Sequence, residues 1–289
     1  MNGSAGSDEA AEWARKTWRT LEPIHGMIYF APEAAERYEA LGLRDRSGYF
    51  ASRSAPMGAV PARVVVATFY NFEPGLVHAS MDGVWARTTP AQLLDARLAA
   101  ADAALRRALP DGWDDGQMRS AAELARRAAD AASEHPEGRP LFAGHADLPW
   151  PDEPHLALWH AQTLLREFRG DGHIAELATR GISGIEALVL HAATAEVPRA
   201  ALQATRRWDD ANWEAAVDSL ATRGWVQADG SFTDAGRAMR DEIEAGTDRL
   251  ARAPYAALGA DGCARLRELA RPWSKAIVGG GLIGFDNQQ

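Results

Sequence analysis

Apolar residues recur every three or four positions along most of the chain, which is the spacing that places them on one face of an α-helix. The pattern predicts a mostly α-helical fold. The predicted helices cover residues 13–30, 33–41, 62–70, 90–109, 118–133, 156–168, 174–178, 185–191, 199–205, 211–223, 234–253 and 264–277. Thr89 and Thr233 are predicted N-caps, because a threonine hydroxyl can accept hydrogen bonds from the free amides of a first helical turn.

Residues 136–154 read PEGRPLFAGHADLPWPDEP, and their prolines and glycines interrupt the helical pattern. We interpret this stretch as the connection between two halves. The expected organisation is a disordered tail (1–11), a first helical repeat (12–135), the connection (136–154), a second repeat (155–278) and a C-terminal tail (279–289).

The two halves share short matches in the same order, which indicates an internal duplication. Trp13 and Thr17 recur as Trp159 and Thr163 at an offset of 146, and ELAR at 123–126 recurs at 268–271, at an offset of 145. VPARVVVAT at 60–68 aligns with VPRAALQAT at 197–205 at an offset of 137, as expected if a loop has shortened. The alternative is coincidence in a chain rich in alanine and arginine.

Residues 197–253 have the order short helix, WDD turn, helix, WVQADGSFT and long helix. The Asp229-Gly230 pair is typical of a hairpin and predicts a small two-stranded wing. This segment resembles the winged helix of MarR-type regulators, in which a recognition helix ending in Leu-x-x-x-Gly precedes a wing and a T-x-x-G helix start. The whole chain is also similar to an actinobacterial family of helix-turn-helix proteins that carry EP-x-H, YF, FYNF and RGDGH segments. By the repeat, residues 60–109 are expected to form a degenerate winged helix.

Composition argues against a protein whose main task is to neutralise phosphates, because the formal net charge is −9 and the isoelectric point is about 5.4. The single cysteine, Cys263, rules out an internal disulfide framework. The first residues lack the basic flank and apolar core of a signal peptide, and no apolar stretch is long enough to cross a bilayer. We therefore expect a cytoplasmic protein without a membrane partner.

The resemblance to MarR-type regulators implies DNA binding, but the charges disfavour it. The predicted recognition helix offers Asp209, Asp210, Glu214 and Asp218 where base and phosphate contacts need donors. Arg206 and Arg207 are the only candidate phosphate contacts before it. DNA is therefore a disfavoured partner.

Polar residues within apolar segments predict a small-molecule pocket between the two repeats. Glu22 and His25 of the first repeat are expected to meet Glu167 and His173 of the second, and these four are the candidate catalytic residues. The candidate ligand-binding residues are Tyr29, Tyr49, Arg53, Tyr70, Asn71 and Arg169. The alternative is structural: Arg53 pairs with a buried carboxylate, the tyrosine hydroxyls cap helices, and His25 is a core histidine whose hydrogen bonds are satisfied.

His173 lies in REFRGDGHIAEL (166–177), where the glycines are expected to end one helix and Asp171 to cap the next. It is the leading site candidate, because Glu22 aligns with Glu167 at an offset of 145 and a histidine follows each.

Metal and cofactor motifs are missing from the sequence. His160, Glu167 and His173 form a weak metal set without HExxH or a related spacing, so we expect no metal, and no motif indicates a cofactor. Two functions remain open: a ligand-responsive regulatory protein of the winged-helix type, or an enzyme that uses the same scaffold with His and Glu as acid and base. The sequence determines neither the ligand nor the oligomeric state.

Overall fold

The computed structural model describes residues 3–109 and 112–283, with side chains from residue 9 onward. The fold is mostly α-helical, as the apolar spacing predicts. Within the described ranges, the strand content is one isolated antiparallel bridge between Val226 and Phe232. The predicted two-stranded wing is therefore a tight turn closed by a single bridge.

The first half of the chain contains eight of the described helices. They are α1 (Gly3–Gly26), α2 (Pro32–Ala40), α3 (Arg46–Ser54), α4 (Ala62–Phe69), α5 (Pro74–Met81), α6 (Val84–Arg87), α7 (Pro90–Ala108) and α8 (Asp115–Ala132). Two 3₁₀ turns, Met27–Tyr29 and Ala55–Met57, follow α1 and α3.

The second half contains seven described helices. They are α9 (Pro140–Ala146), α10 (Pro154–Thr179), α11 (Gly184–Ala192), α12 (Arg199–Arg206), α13 (Asp210–Thr222), α14 (Asp234–Leu250) and α15 (Arg252–Gly279). The predicted caps are present: Thr89 accepts from the amide of Gln92 (3.3 Å), and Thr233 accepts from the amide of Gly236 (3.0 Å).

The described chain divides into two compact units that do not follow chain order. Unit 1 comprises the described residues within 3–60, 83–171 and 248–283, of which 110–111 are not described. Unit 2 comprises Pro61–Asp82 and Gly172–Thr247. Residues 60–109, expected to form one degenerate winged helix, are therefore shared between the units.

In unit 1, α15 packs against α1 and α8, and α7 packs against α2 and α3. Large buried side chains such as Phe50, Phe142 and Phe168 fill its interior. Unit 2 has a separate core in which Trp213, Val217 and Leu220 of α13 pack with residues of α11 and α12. All three side chains are buried.

Helix α10 corrects the prediction made for REFRGDGHIAEL. It continues without a break through Gly170 and Gly172 to Thr179. Asp171 does not cap a following helix. Its Oδ2 instead accepts from the amides of Leu141 and Phe142 (3.1 and 3.0 Å), and so caps α9. Helix α9 lies inside the stretch that was expected to be an irregular connection.

The expected tails are only partly described. Helix α1 begins at Gly3, and Ala10 is buried, so the segment expected to be a disordered tail (1–11) carries helical structure from Gly3 onward. Residues 284–289 of the expected C-terminal tail lie outside the described residues. No helix in the described ranges is both long enough and apolar enough to cross a membrane.

Candidate functional site

The centre of unit 1 holds a buried histidine whose two ring nitrogens are both hydrogen-bonded. His25 lies near the end of α1, with Nδ1 2.8 Å from Thr163 Oγ1 and Nε2 2.7 Å from the Tyr29 hydroxyl. Thr163 Oγ1 already donates to the carbonyl of Trp159 (3.0 Å), so it accepts from His25 Nδ1. Nε2 of the neutral ring then accepts from the Tyr29 hydroxyl.

Two arginines beside this histidine share one buried carboxylate. Glu167 Oε1 accepts from Arg53 Nη2 (3.3 Å) and from Arg166 Nη1 (3.1 Å). Arg166 Nε also donates to Glu22 Oε1 (2.8 Å), and Arg53 Nη1 donates to the Tyr49 hydroxyl (2.8 Å). These contacts match the structural alternative, in which Arg53 pairs with a buried carboxylate and His25 is a hydrogen-bonded core histidine.

A third arginine, Arg97 of α7, completes the arginine cluster, which we define as Arg53, Arg97 and Arg166 with Glu22, Tyr29 and Glu167. Its guanidinium carbon lies 5.6 Å from the Tyr29 ring centre and 5.4 Å from that of Trp159. Arg97 is 3% exposed, and its Nε and Nη2 have no hydrogen-bond acceptor among the described residues.

Burial and charge set the protonation of the cluster. Burial alone raises the pKa of Glu167, but the charges of Arg53 and Arg166 outweigh it and lower that pKa to about 2. Burial, aided by the neighbouring arginines, lowers the pKa of His25 well below its ordinary value. His145 of α9 is also buried, and its pKa is lowered to about 3 mainly by desolvation. Near neutral pH the histidines are neutral and the glutamate is ionised.

The arginine cluster and its neighbours His25 and Tyr49 combine buried and half-buried side chains. His25, Arg53, Arg97 and Glu167 are buried, whereas Glu22, Tyr29, Tyr49 and Arg166 are half-buried. Five helices or turns of unit 1 supply these groups, so a rigid scaffold holds them. Polar and charged groups that converge within an apolar core are a common feature of small-molecule sites.

The predicted residues Tyr70, Asn71 and His173 belong to unit 2 and serve its internal contacts. The Tyr70 hydroxyl donates to the carbonyl of Ile182, and the carbonyl of Asn71 accepts from Trp208 Nε1 (2.9 Å). His173 Nδ1 lies 2.9 Å from Thr247 Oγ1. The Thr247 hydroxyl donates its hydrogen to the carbonyl of Ile243, so its oxygen accepts from Nδ1–H of His173. His173 thus has a structural partner in unit 2, and Glu22, His25 and Glu167 converge in unit 1.

Arg169 lies in unit 1 but outside the arginine cluster. Its Nη1 donates to Asp248 Oδ1 (2.7 Å), and its guanidinium lies 4.6 Å from the Trp18 ring centre. His160, a weak metal candidate, packs edge-on against Trp150 at 4.9 Å. The described residues contain no group of three His, Cys, Asp or Glu side chains arranged to hold a metal ion.

The surface of α13 in unit 2 is acidic, as predicted, but part of its charge is neutralised by a residue that the sequence analysis did not single out. Arg199 of α12 donates to Asp210 (3.0 Å) and Glu214 (2.6 Å). Asp209 caps α13 by accepting from the amide of Asn212 (2.8 Å), so a carboxylate occupies the end where a DNA phosphate would bind. Arg207 is exposed, and Arg206 is half-buried with its guanidinium 4.8 Å from the Phe72 ring.

Sequence reasoning missed Arg97, Arg166 and His145 as site residues. The sequence contains a signal for Arg97. The buried face of the predicted helix 90–109 carries this arginine among the apolar residues Leu93, Ala100 and Ala104. A charged side chain on an apolar helix face indicates a special role for that residue. Trp159 and Thr163 were singled out only as repeat matches. Their contacts with His25 depend on the packing of distant segments.

Comparison with known proteins gives one family. A model described as a helix-turn-helix family matches residues 14–284. No curated protein matches, and no solved structure matches.

Proposed function

We propose, from the premise that this chain belongs to a helix-turn-helix family, that it is a regulatory protein that binds a small molecule in unit 1. The observation that carries the proposal is the arginine cluster, in which charged and hydroxyl groups from distant segments converge inside an apolar core. Three buried or half-buried arginines are costly for stability, and such a cost is commonly retained for binding.

The ligand site that we propose lies within unit 1, where segments of both sequence halves meet. Residues before 60 supply His25, Tyr29 and Arg53, and residues after 154 supply Trp159, Arg166 and Glu167. We retain the internal duplication, its division at 136–154 and the cytoplasmic location as proposals that rest on the sequence matches and composition. The winged helix of the MarR type at 197–253 is likewise a proposal, supported by the order of α12, α13, the turn and α14.

In this proposal α13 is a scaffold helix and does not read DNA bases. Its exposed side chains include Asp218 and Glu214, and the groove of about 500 Å³ beside it is lined by Glu214 and Asp229 against one arginine, Arg199. Acidic groups repel the phosphate backbone that supplies most of the affinity for DNA. Regulation then depends on the ligand-bound state of unit 1.

Thermal unfolding of the full chain tests the ligand proposal. The probe is the low-molecular-weight extract of cells that carry the gene, separated into fractions. A fraction that contains the ligand raises the unfolding temperature, because binding to the folded state alone stabilises it. If every fraction leaves the unfolding temperature unchanged, the small-molecule proposal is wrong.

The enzyme alternative receives no comparable support from the contacts. His25 is neutral, and both of its ring nitrogens are engaged with Thr163 and Tyr29. His173, the other candidate base, bonds Thr247 in unit 2. Small-molecule binding is therefore the function that the geometry favours.

A further inference from the structure

Arg97 differs from the other two arginines of the cluster in having no carboxylate partner among the described residues. Arg53 and Arg166 both bond Glu167, and Arg166 also bonds Glu22. Arg97 is 3% exposed, and its Nε and Nη2 have no acceptor among those residues. Polar groups this deeply buried are nearly always hydrogen-bonded, so the unpaired atoms need an explanation.

The charge balance of the cluster is positive. Arg53, Arg97 and Arg166 face Glu22 and Glu167, and the neighbouring His25 and His145 are neutral because burial lowers the pKa of each. Among the described contacts, three arginines therefore meet two carboxylates, which leaves an excess of one positive charge in a mostly buried environment. Burying an unpaired charge is strongly unfavourable, and an anion at this position would remove the cost.

The geometry of the unpaired atoms specifies the kind of anion. Nε and Nη2 lie on the same edge of the guanidinium and direct two parallel N–H bonds outward. This edge matches two oxygens of one carboxylate or phosphate group. Tyr29 and Trp159 interact with the guanidinium as cation–π partners, which stabilise the charge and restrain the orientation of the edge.

We propose that Arg97 is an oxyanion receptor, and that the small molecule bound in unit 1 carries a carboxylate or phosphate group held by Arg97 Nε and Nη2. This inference rests on the proposed function and adds the chemical class of the ligand. In this proposal the ligand enters past Tyr29, Tyr49 and Arg166, which are half-buried. The aromatic rings favour a ligand whose remainder is planar or apolar.

The test measures the thermal unfolding of the full-length protein in sodium acetate and in sodium phosphate, each against sodium chloride at matched ionic strength. Acetate, phosphate or both are expected to raise the unfolding temperature of the wild type progressively with concentration. Arg97→Met is expected to weaken the apparent affinity at least about tenfold, because two charge-assisted hydrogen bonds are lost. Arg97→Lys, which keeps the charge but not the paired donors, is expected to show an intermediate effect.

Arg265→Met is the matched control, because Arg265 is an exposed arginine that pairs only with Glu268 among the described contacts. It should respond to the anions as the wild type does. An effect of acetate alone identifies a carboxylate site, and an effect of phosphate alone identifies a phosphate site. If neither anion exceeds chloride, or if Arg97→Met and Arg97→Lys respond as the wild type does, the inference is overturned.

These outcomes separate the inference from the function on which it rests. If a neutral compound from the cell extract stabilises the protein and the oxyanions do not, small-molecule binding stands and the oxyanion receptor fails. If the oxyanions stabilise the wild type through Arg97 and no extract fraction does so, the receptor stands and the ligand-responsive function fails.

Discussion

Substituting an uncharged residue for Arg97 or for Glu167 is predicted to change the free energy of unfolding in opposite directions. Arg97→Met removes a buried cation that has no carboxylate partner among the described residues, and the ligand-free protein should become more stable, by about 1–4 kcal/mol, the range for replacing buried ionic groups by apolar side chains of similar volume. Glu167→Gln leaves Arg53 and Arg166 without their shared carboxylate and should cost about 3–5 kcal/mol. Urea unfolding at neutral pH, in chloride buffer without oxyanions, measures both changes. Equal destabilisation by the two substitutions would show that Arg97 is an ordinary structural arginine.

The buried histidines predict a loss of stability in acid. The pKa of His145 is lowered from 6.5 to about 3, so below pH 6.5 the unfolded chain binds a proton that the folded chain does not. Stability from this group therefore falls as the pH decreases from 6.5 to about 3, by up to about 1.4 kcal/mol per pH unit. Glu167, with a pKa of about 2 against an ordinary 4.5, adds a further loss as the pH falls below 4.5.

His145→Gln should reduce this slope, as measured by urea unfolding at several pH values between neutrality and pH 4. Asp171 changes the stability in the opposite direction. Burial raises its pKa from 3.8 to about 6, so the stability that this carboxyl contributes decreases as the pH rises from 3.8 to about 6. The comparison with the wild type isolates the histidine. An unchanged slope in His145→Gln would contradict the neutral state assigned to it.

Some residues of the candidate site can be predicted from the sequence, whereas those brought together by packing cannot. His25, Tyr29 and Arg53 were identified because polar groups interrupted apolar segments. The bond of His173, the leading candidate, to Thr247 joins positions 74 residues apart, and no local pattern predicts it. Periodicity alone identifies the helix that carries Arg97, whereas only the charge on its buried face indicates that this residue has a special role.

At the element scale, α10 shows why local propensity misled the prediction. Two glycines within three residues cost roughly 2 kcal/mol in a helix interior and normally indicate a helix end. Here Phe168 is buried, Arg169 bonds Asp248, and Asp171 caps α9. These tertiary contacts outweigh the propensity, and they come from segments distant in sequence.

The junction between the turn and α14 provides a test at the element scale. Gly236 is the glycine of the T-x-x-G start, and a Cβ atom there would overlap the carbonyl oxygen of Trp225. That oxygen accepts from the amide of Thr233 (3.1 Å), so Gly236→Ala should disturb the turn and destabilise unit 2 by about 1–3 kcal/mol.

Gly279→Ala is the control for Gly236→Ala, because no neighbouring group among the described residues lies within 4 Å of the added atom and the backbone is not left-handed there. Urea unfolding followed by circular dichroism measures both variants. The account of the junction fails if Gly236→Ala is as stable as the control.

At the scale of the whole molecule, the division into units could not be predicted from the order of the chain. Unit 2 takes Pro61–Asp82 from the first half and Gly172–Thr247 from the second. Helical periodicity gives the elements and their buried faces, but the pairing of distant helices depends on side-chain fit. The convergence of Glu22, His25 and Glu167 was nevertheless anticipated, because the repeat aligned their helices.

The acidic surface of α13 predicts weak or no DNA binding by the full-length protein. A gel-shift with the DNA upstream of the gene, run over a range of salt, should show no complex even at low salt, because Asp209, Glu214 and Asp218 oppose the phosphate backbone. The Arg206→Ala, Arg207→Ala double variant should behave identically. A salt-sensitive complex that this double variant abolishes would assign DNA binding to the segment before α13.

Native mass spectrometry tests the central claim most directly. Full-length wild type and Arg97→Met are incubated with the same low-molecular-weight cell extract, desalted under native conditions and weighed. The account predicts that the wild type retains one small compound, released on denaturation and bearing a carboxylate or phosphate, and that Arg97→Met does not. A wild type that stays at the mass of the bare chain, or a compound retained equally by both proteins, would contradict it.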